Sequence, residues 1–419
     1  MADVTRTIGL SLGADICWPI AYREILDRLD LEIPWEGDRV RFAVEDVMIE
    51  PFELGAPTRF DLVIDRLTHW YHTTREWIKK AVILDDVYVF NNPWSVQSME
   101  KQTTYCAMMR LGLPIPRTWL IPPKSYEPAA DLRVTLERYA RLFDLGEIGA
   151  SLGYPLYMKP YDGGGWRGVS RIEDEETLRS AYEESGKFMM HLQRGVEGHD
   201  RFVRCVGLGP QTRGVLYDPA APLHDRYTMA RDFVSAAEAQ VLRDMTLTIN
   251  AFFGWDFNSC EALRSDGRWI PIDFANPCPD SQVTSLHYHF PWLIKANIRW
   301  SVFCATTRRS MRLNLDWQPF FDACQPGMTV EERIRACGAI AKERFETERF
   351  LEFCERHLGH LDEVADAFFG EEAARNAVRA KVAALFPDHE VDEFTNLFFE
   401  RIQAARREEP PGSVSPLAS

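Results

Sequence analysis

The chain lacks several signals at once. No stretch approaches the roughly 18 uninterrupted apolar residues of a membrane span, and the most apolar early run, residues 8–22, is broken by Asp15 and Pro19. Residues 1–7 carry no basic segment leading into a long apolar core, so no signal peptide is expected. The nine cysteines contain no C-x-x-C pair and are odd in number. That argues against the usual zinc spacings and a disulfide framework, and reduced thiols in a cytoplasmic protein are expected. Positive charge is scarce: 48 Lys and Arg stand against 63 Asp and Glu, a net charge of −15. Such a chain repels polyanions, so neither nucleic acid nor an anionic membrane is an expected partner. No internal repeat or heptad array is present.

What is present is an alternation of strands and helices. A length of 419 residues allows two to four domains. Residues 7–12 read as a strand, 13–18 as a loop, 22–29 as a helix, 60–64 as a buried strand, 69–82 as a helix and 87–90 as a strand. This order predicts an α/β domain with a largely parallel, doubly wound sheet. Ligands on such sheets sit beyond the carboxyl ends of strands, which nominates the loops after Leu12 and Ile64. A second unit begins near Lys101, with a helix stopped by Gly112 and by Pro114 and Pro116 beyond it. Helices are expected at 132–143, up to 152, and at 236–252, with strands at 156–159, 202–207, 260–263 and 269–274. Beyond Thr329 the pattern is almost wholly helical to Arg407, and residues 408–419 read as a disordered tail.

Two segments carry chemistry. In Tyr154-Pro-Leu-Tyr-Met-Lys159-Pro160 a short apolar strand delivers a lysine, and Asp162-Gly163-Gly164-Gly165-Trp166-Arg167-Gly168 follows almost at once. Glycines let backbone amides approach a polyphosphate, and the lysine adds a point charge. A flexible hairpin turn is the plainer reading, and the strand-borne lysine favours phosphate binding over it. The second segment runs from Gly254 through Cys260-Glu261, turns near Asp266-Gly267, and returns as Trp269-Ile-Pro-Ile-Asp273-Phe-Ala-Asn276-Pro277. On an antiparallel pair turning there, Glu261 and Asp273 lie almost opposite. Two such carboxylates repel unless a cation bridges them, and their hard oxygens suit magnesium held jointly with phosphates.

These segments, in this order and about a hundred residues apart, resemble the ATP-grasp superfamily of carboxylate–amine ligases, which includes D-alanine–D-alanine ligase, glutathione synthetase and the ribosomal-protein glutamate ligases. Phe90-Asn-Asn-Pro-Trp-Ser95 leading to Lys101, and Gly112-Leu-Pro-Ile-Pro-Arg-Thr118, extend the similarity upstream. The resemblance covers roughly residues 60–295. It implies a pre-grasp domain over 1–100, an ATP-grasp domain over 101–300 with a small lobe at about 118–195, a helical region over 301–407 and the tail. It also implies ATP and Mg2+, with ATP between two antiparallel sheet lobes. Lys101 and Lys159 would contact phosphates, and Gly163, Gly164, Gly165 and Gly168 would form a mobile loop over them. Met190, Leu192 and Gln193 would form the adenine hinge, largely through backbone, with Glu197 or Asp200 on the ribose. Glu261, Asp273 and Asn276 would hold magnesium. Arg204, Arg226 and Arg231 compete to face the transferred phosphate, with Arg231 preferred. The family pattern ends in Glu-x-Asn after an earlier Asp, whereas this chain has Asp273-Phe-Ala-Asn276 after Glu261.

Ser281, in the loop after the metal strand, and Arg66, after the strand at 60–64, are substrate candidates. A solvated Arg66 is an equal alternative. His287 and His289, read at i,i+2 on a strand, are expected to line a pocket wall and not to hold a metal. Cys278 is expected to be an inert thiol, and Trp70, Tyr71, Trp77 and Trp94 to pack in the core. The implied activity is an ATP-dependent ligase that forms an acyl phosphate, joins it to an amine of amino-acid or peptide type, and releases ADP and phosphate. The partners would be a small-molecule acid and amine, and a homodimer is allowed. The alternatives are a phosphotransferase and a non-catalytic nucleotide-binding scaffold.

Overall fold

The computed structural model describes residues 2–67, 71–95, 101–162, 167–230, 232–409 and 411. Gly163, Gly164, Gly165, Trp166, Trp70, Arg231 and nearly all of the tail from Pro410 lie outside the described residues. The chain divides into two compact units. One holds Met1–Gln97, Phe202–Glu261 and Asn276–Ser419; the other holds Ser98–Arg201 and Ala262–Ala275.

In the first unit, β1 (Asp3–Ser11), β2 (Ile33–Trp35), β3 (Asp38–Asp46), β4 (Leu62–Asp65) and β5 (Tyr88–Phe90) form one sheet in the order β2-β3-β1-β4-β5. All neighbours are parallel except the β2–β3 pair. Leu62, Val63 and Ile64 of β4 are all fully buried, so this strand has no solvent face, as expected at the centre of a parallel sheet. Val63 packs with Ile78, Ala81 and Val82 of helix His72–Asp85. Helix Phe290–Thr306 packs on β1 and β4 and against helix Cys17–Leu29. The sheet is therefore the expected doubly wound one. Its order reverses between β1 and β4, since the chain leaves β1 for β3 on one side and returns to β4 on the other. The carboxyl ends at the reversal are Ser11 and Asp65, joined by a 2.9 Å hydrogen bond from Ser11 Oγ.

In the second unit, β6 (Thr118–Ile121), β7 (Leu156–Pro160), β8 (Ser170–Ile172) and β9 (Met190–Arg194) form an antiparallel sheet in the order β6-β9-β7-β8. Leu156, Met158, Met190 and Leu192 face a core shared with helices Leu145–Leu152 and Glu175–Ser185. The period of two along a strand then puts Tyr157, Lys159, His191 and Gln193 on the opposite face.

The remaining strands are β10 (Arg201–Leu208), β11 (Gln211–Tyr217), β12 (Tyr227–Thr228), β13 (Phe257–Ser265) and β14 (Arg268–Pro277), in the order β12-β11-β10-β13-β14. The end of β13 and most of β14 belong to the second unit. The turn between them is Asp266-Gly267, with φ of +50° and +72°. Two positive φ values form a tight hairpin turn matched to strand twist, which the Asp-Gly sequence favours.

Gly209, which caps β10, has φ of +56°, and a Cβ there would lie 2.4 Å from the Trp300 ring. Gly209→Ala is expected to destabilise the fold by about 2–4 kcal/mol, from left-handed strain plus overpacking. A urea unfolding midpoint unchanged from wild type would refute this. The C-terminal part is helical, as expected, from Val330–Arg344 to Val391–Glu408. Among the described residues, no helix is long and apolar enough to cross a membrane.

Three expectations fail. His287–His289 is a 3-10 helix and not a strand, so its two histidines do not share a strand face. Tyr71 and Trp94 are exposed, while Trp77 packs on Phe60 as expected. Helix Leu132–Tyr139 stops before Phe143, where Asp144 caps the next helix.

Candidate active site

In the second unit, Lys159 and His191 lie on the sheet face opposite the helix-covered core, both buried. Lys159 and His191 are directly opposite in the β7–β9 register. Lys159 Nζ donates to the Ile272 carbonyl at 3.1 Å and lies 5.7 Å from the centre of the Tyr105 ring. Tyr105 Oη donates to the same carbonyl at 3.0 Å. Lys101 opens helix Lys101–Leu111, and its backbone amide donates to Tyr161 at 2.8 Å, just past the end of β7. Its ammonium lies 3.5 Å from Asp273 Oδ2. Both lysines are less than one-tenth exposed. Two strands and one helix thus bring Lys101, Lys159 and Asp273 together.

His191 reports the field at this spot. Its pKa is pushed down to about 4, first by burial, then by Lys159 and Lys101, against a smaller upward pull from Asp273. The potential is therefore positive, which suits an anion. Gln193 Nε2 donates to Thr118 Oγ1 at 2.9 Å. Met190 and Leu192 point into the helix-covered core. Glu197 is exposed, whereas Asp200 is engaged in a two-pronged ion pair with Arg264 that lowers its pKa. Gly168 has φ of +68°.

The first unit holds the other candidates. Glu261 and Asn276 are half-buried; the Asn276 amide donates to Asn258 Oδ1 at 2.9 Å and its Nδ2 to the Ser259 carbonyl at 3.3 Å. Arg204, on β10, is buried, donates to Ser259 Oγ at 3.1 Å and to Tyr227 Oη, and attracts Glu261 electrostatically. Arg226 is held by the Ala221 carbonyl at 3.1 Å and by Tyr217 Oη.

Arg66 and Ser281 are brought together at the sheet reversal. Arg66 donates to Ser281 Oγ and the Pro279 carbonyl, and pairs with Asp15 at 2.7 Å. Asp15 also accepts from Gln282, and burial raises its pKa. Lys381, from helix Glu372–Ala383 of the helical C-terminal part, donates to the Ala14 carbonyl at 2.8 Å, and burial lowers its pKa. Asp15, Gln282 and Lys381 were not singled out by sequence. Asp15 follows a nominated strand end, but nothing local marks Lys381, 366 residues further on. Cys278 is buried and donates to the Asp65 carbonyl at 2.8 Å, and burial pushes its thiol pKa well up. Among the described residues, no three His, Cys, Asp or Glu side chains gather as a metal cluster.

His287 accepts from the Tyr288 amide at Nδ1, at 2.9 Å, and sets Nε2 2.8 Å from the His224 carbonyl, so both ring nitrogens are used in the neutral form. Its pKa falls to about 4, chiefly through burial. An unfolded histidine binds a proton near pH 6.5 and this one only near 4. The stability it confers is present above pH 6.5 and lost as pH falls to 4, by roughly 3 kcal/mol. Buried Asp256, raised to about 6, acts in the opposite sense. The difference between wild type and His287→Gln therefore isolates the histidine. Between pH 7 and 4 the variant should lose less stability than wild type in urea titrations; parallel losses would refute the assignment.

No protein-family model matches the chain, and no curated protein sequence matches it. Among solved structures, it is similar to D-alanine–D-alanine ligase from Bacillus anthracis complexed with ATP, at 12% identity and a TM-score of 0.45, covering 82% of this chain and 99% of that one. It is similar to the VanG D-Ala:D-Ser ligase from Enterococcus faecalis, at 13% identity and a TM-score of 0.46, covering 81% and 99%. A RimK domain ATP-grasp protein from Sphaerobacter thermophilus is similar at 14% identity and a TM-score of 0.43, covering 65% and 92%.

Proposed function

We propose that the chain is an ATP-dependent carboxylate–amine ligase of ATP-grasp type. One observation carries this reading: two buried lysines from separate elements, Lys101 and Lys159, create a positive field at His191 that the adjacent Asp273 does not cancel. A triphosphate would meet both ammoniums there, and the glycine-rich segment directly after β7 would supply amides for it. Glu197, exposed and not tied up as Asp200 is, becomes the ribose ligand. Glu261, Asp273 and Asn276 remain the proposed magnesium ligands for the hard character of their carboxylate and amide oxygens. When bound, magnesium neutralises charge on the phosphates being separated. Arg204, buried and electrostatically coupled to Glu261, stands beside Arg231 as a candidate for the transferred phosphate.

A substrate carboxylate attacks the γ-phosphate, ADP leaves, and an amine displaces phosphate from the acyl phosphate. The chain's residues position the groups and stabilise charge; none becomes covalently modified. Arg66, Ser281 and the Asp15–Lys381 neighbourhood offer charged and hydroxyl groups for a small acid or amine. A cytoplasmic location and use of amino acids or short peptides complete the reading.

The test is release of ADP and phosphate over a panel of amino acids and short peptides. Sustained turnover should need both an acid and an amine and free one phosphate per ADP. Phosphate retained on an acceptor would mean a phosphotransferase, and tight nucleotide binding without turnover a scaffold. Arg66→Ala should raise KM for the acid or amine by tenfold or more and leave KM for ATP within twofold; a change confined to ATP would remove Arg66 from the substrate region.

A further inference from the structure

The first unit contains a cavity of about 470 Å3 that none of these roles uses. Five arginines line it, Arg308, Arg309, Arg312, Arg344 and Arg349, against three acids, Asp256, Glu343 and Glu346. The acids do not match the arginines. Glu346 is shared between Arg309 and Arg349. Asp256 is buried and taken by hydrogen bonds of 2.8 Å from both Tyr88 and Trp300. Arg344 donates only to backbone carbonyls, among them Leu315 at 2.8 Å, and lies over the Phe320 ring. Arg308 and Arg312 are exposed, and among the described residues neither guanidinium makes an ion pair or hydrogen bond. Five arginines against three acids give the lining a net positive charge in a chain of charge −15.

Among the described residues Arg308 and Arg312 make no ion pair and Arg344, in the field of Glu343 and Asp316, hydrogen-bonds only to backbone, so the three guanidiniums crowd positive charge around one cavity that an anion would relieve. The Arg344 pKa is lowered to about 10, first by burial and then by Arg312, against smaller upward pulls from Asp316 and Glu343. Planar guanidiniums match phosphate oxygens two at a time. The volume falls within the range of small-molecule sites and exceeds what a lone carboxylate needs. The chain's net charge of −15 disfavours a nucleic acid. We infer that this cavity binds a phosphate-bearing small molecule of nucleotide or sugar-phosphate size, with its phosphate held by Arg308, Arg312 and Arg344. Thr307 and Ser310, which also line the cavity, can donate hydroxyls to it.

Calorimetry on the full chain tests this with inorganic pyrophosphate as the probe, and citrate as a carboxylate control. Wild type and Lys159→Ala should both bind pyrophosphate at this site, while Arg308→Ser/Arg312→Ser should bind at least tenfold more weakly. Both arginines are exposed and unpaired, so the thermal midpoint should stay at the wild-type value; Ser310→Asp, which adds a repelling charge to the lining, should weaken binding similarly. Binding lost in Lys159→Ala and kept in the arginine variant would assign the heat to the nucleotide site and overturn the inference. So would no binding by wild type, or citrate binding as tightly as pyrophosphate.

Discussion

Lys159→Ala should weaken binding of ATP or a non-hydrolysable analogue by ten- to a hundredfold and remove detectable turnover, with little loss of stability. The lysine sits on β7, a strand whose other face supplies Leu156 and Met158 to a separate core, so its removal leaves that packing intact. Its ammonium donates to a backbone carbonyl and lies beside an aromatic ring, and in the proposed site it also meets the triphosphate. Losing one charge-assisted contact corresponds to about 1.5–3 kcal/mol of binding. The same change should raise the pKa of His191, because Lys159 is the largest electrostatic contributor holding it down. Nuclear magnetic resonance titration of the imidazole reads that shift separately from catalysis. Unchanged analogue affinity together with a raised His191 pKa would show that the lysine shapes the field without serving a nucleotide.

Asp273→Asn should reduce turnover by about a hundredfold or more while analogue affinity changes by less than fivefold, since metal charge matters most in the transition state. Asp273 lies beside Lys101, so a purely structural ion pair is the competing explanation. The two readings separate in magnesium dependence. A metal ligand lost from the site should demand far more magnesium for residual turnover. A broken ion pair should lower stability and leave the magnesium requirement where it was. Wild-type ADP release at ordinary magnesium would remove Asp273 from the metal assignment.

Much of this was legible in sequence because the signals are local. Helix Lys101–Leu111 stops where the sequence places its stop, at Gly112, with φ of +85°. The hairpin turn at Asp266-Gly267 follows from the only pair of residues there able to adopt two positive φ values cheaply. The β2–β3 pair was not legible. Ile33-Pro-Trp35 is too short to show a period, and Asp38–Asp46 is interrupted by charge. The misreading of His287-Tyr-His289 has the opposite cause, since three residues fit a period of two as well as a period of three. The pairing of Lys159 with His191 depends on register across β7 and β9, and register emerges only once the core face is fixed. Asp15 and Lys381 meet through packing of the C-terminal helices, and tertiary proximity over that separation leaves no local trace.

Photolabelling with 8-azido-ATP and magnesium, followed by peptide mapping, tests the placement of the nucleotide most directly. The label should map to peptides carrying β6 or β9, residues 118–121 and 190–194, and excess ATP should prevent it. Label that instead maps to peptides containing Arg308 to Arg349, or that ATP does not compete away, would contradict a nucleotide site at Lys101 and Lys159.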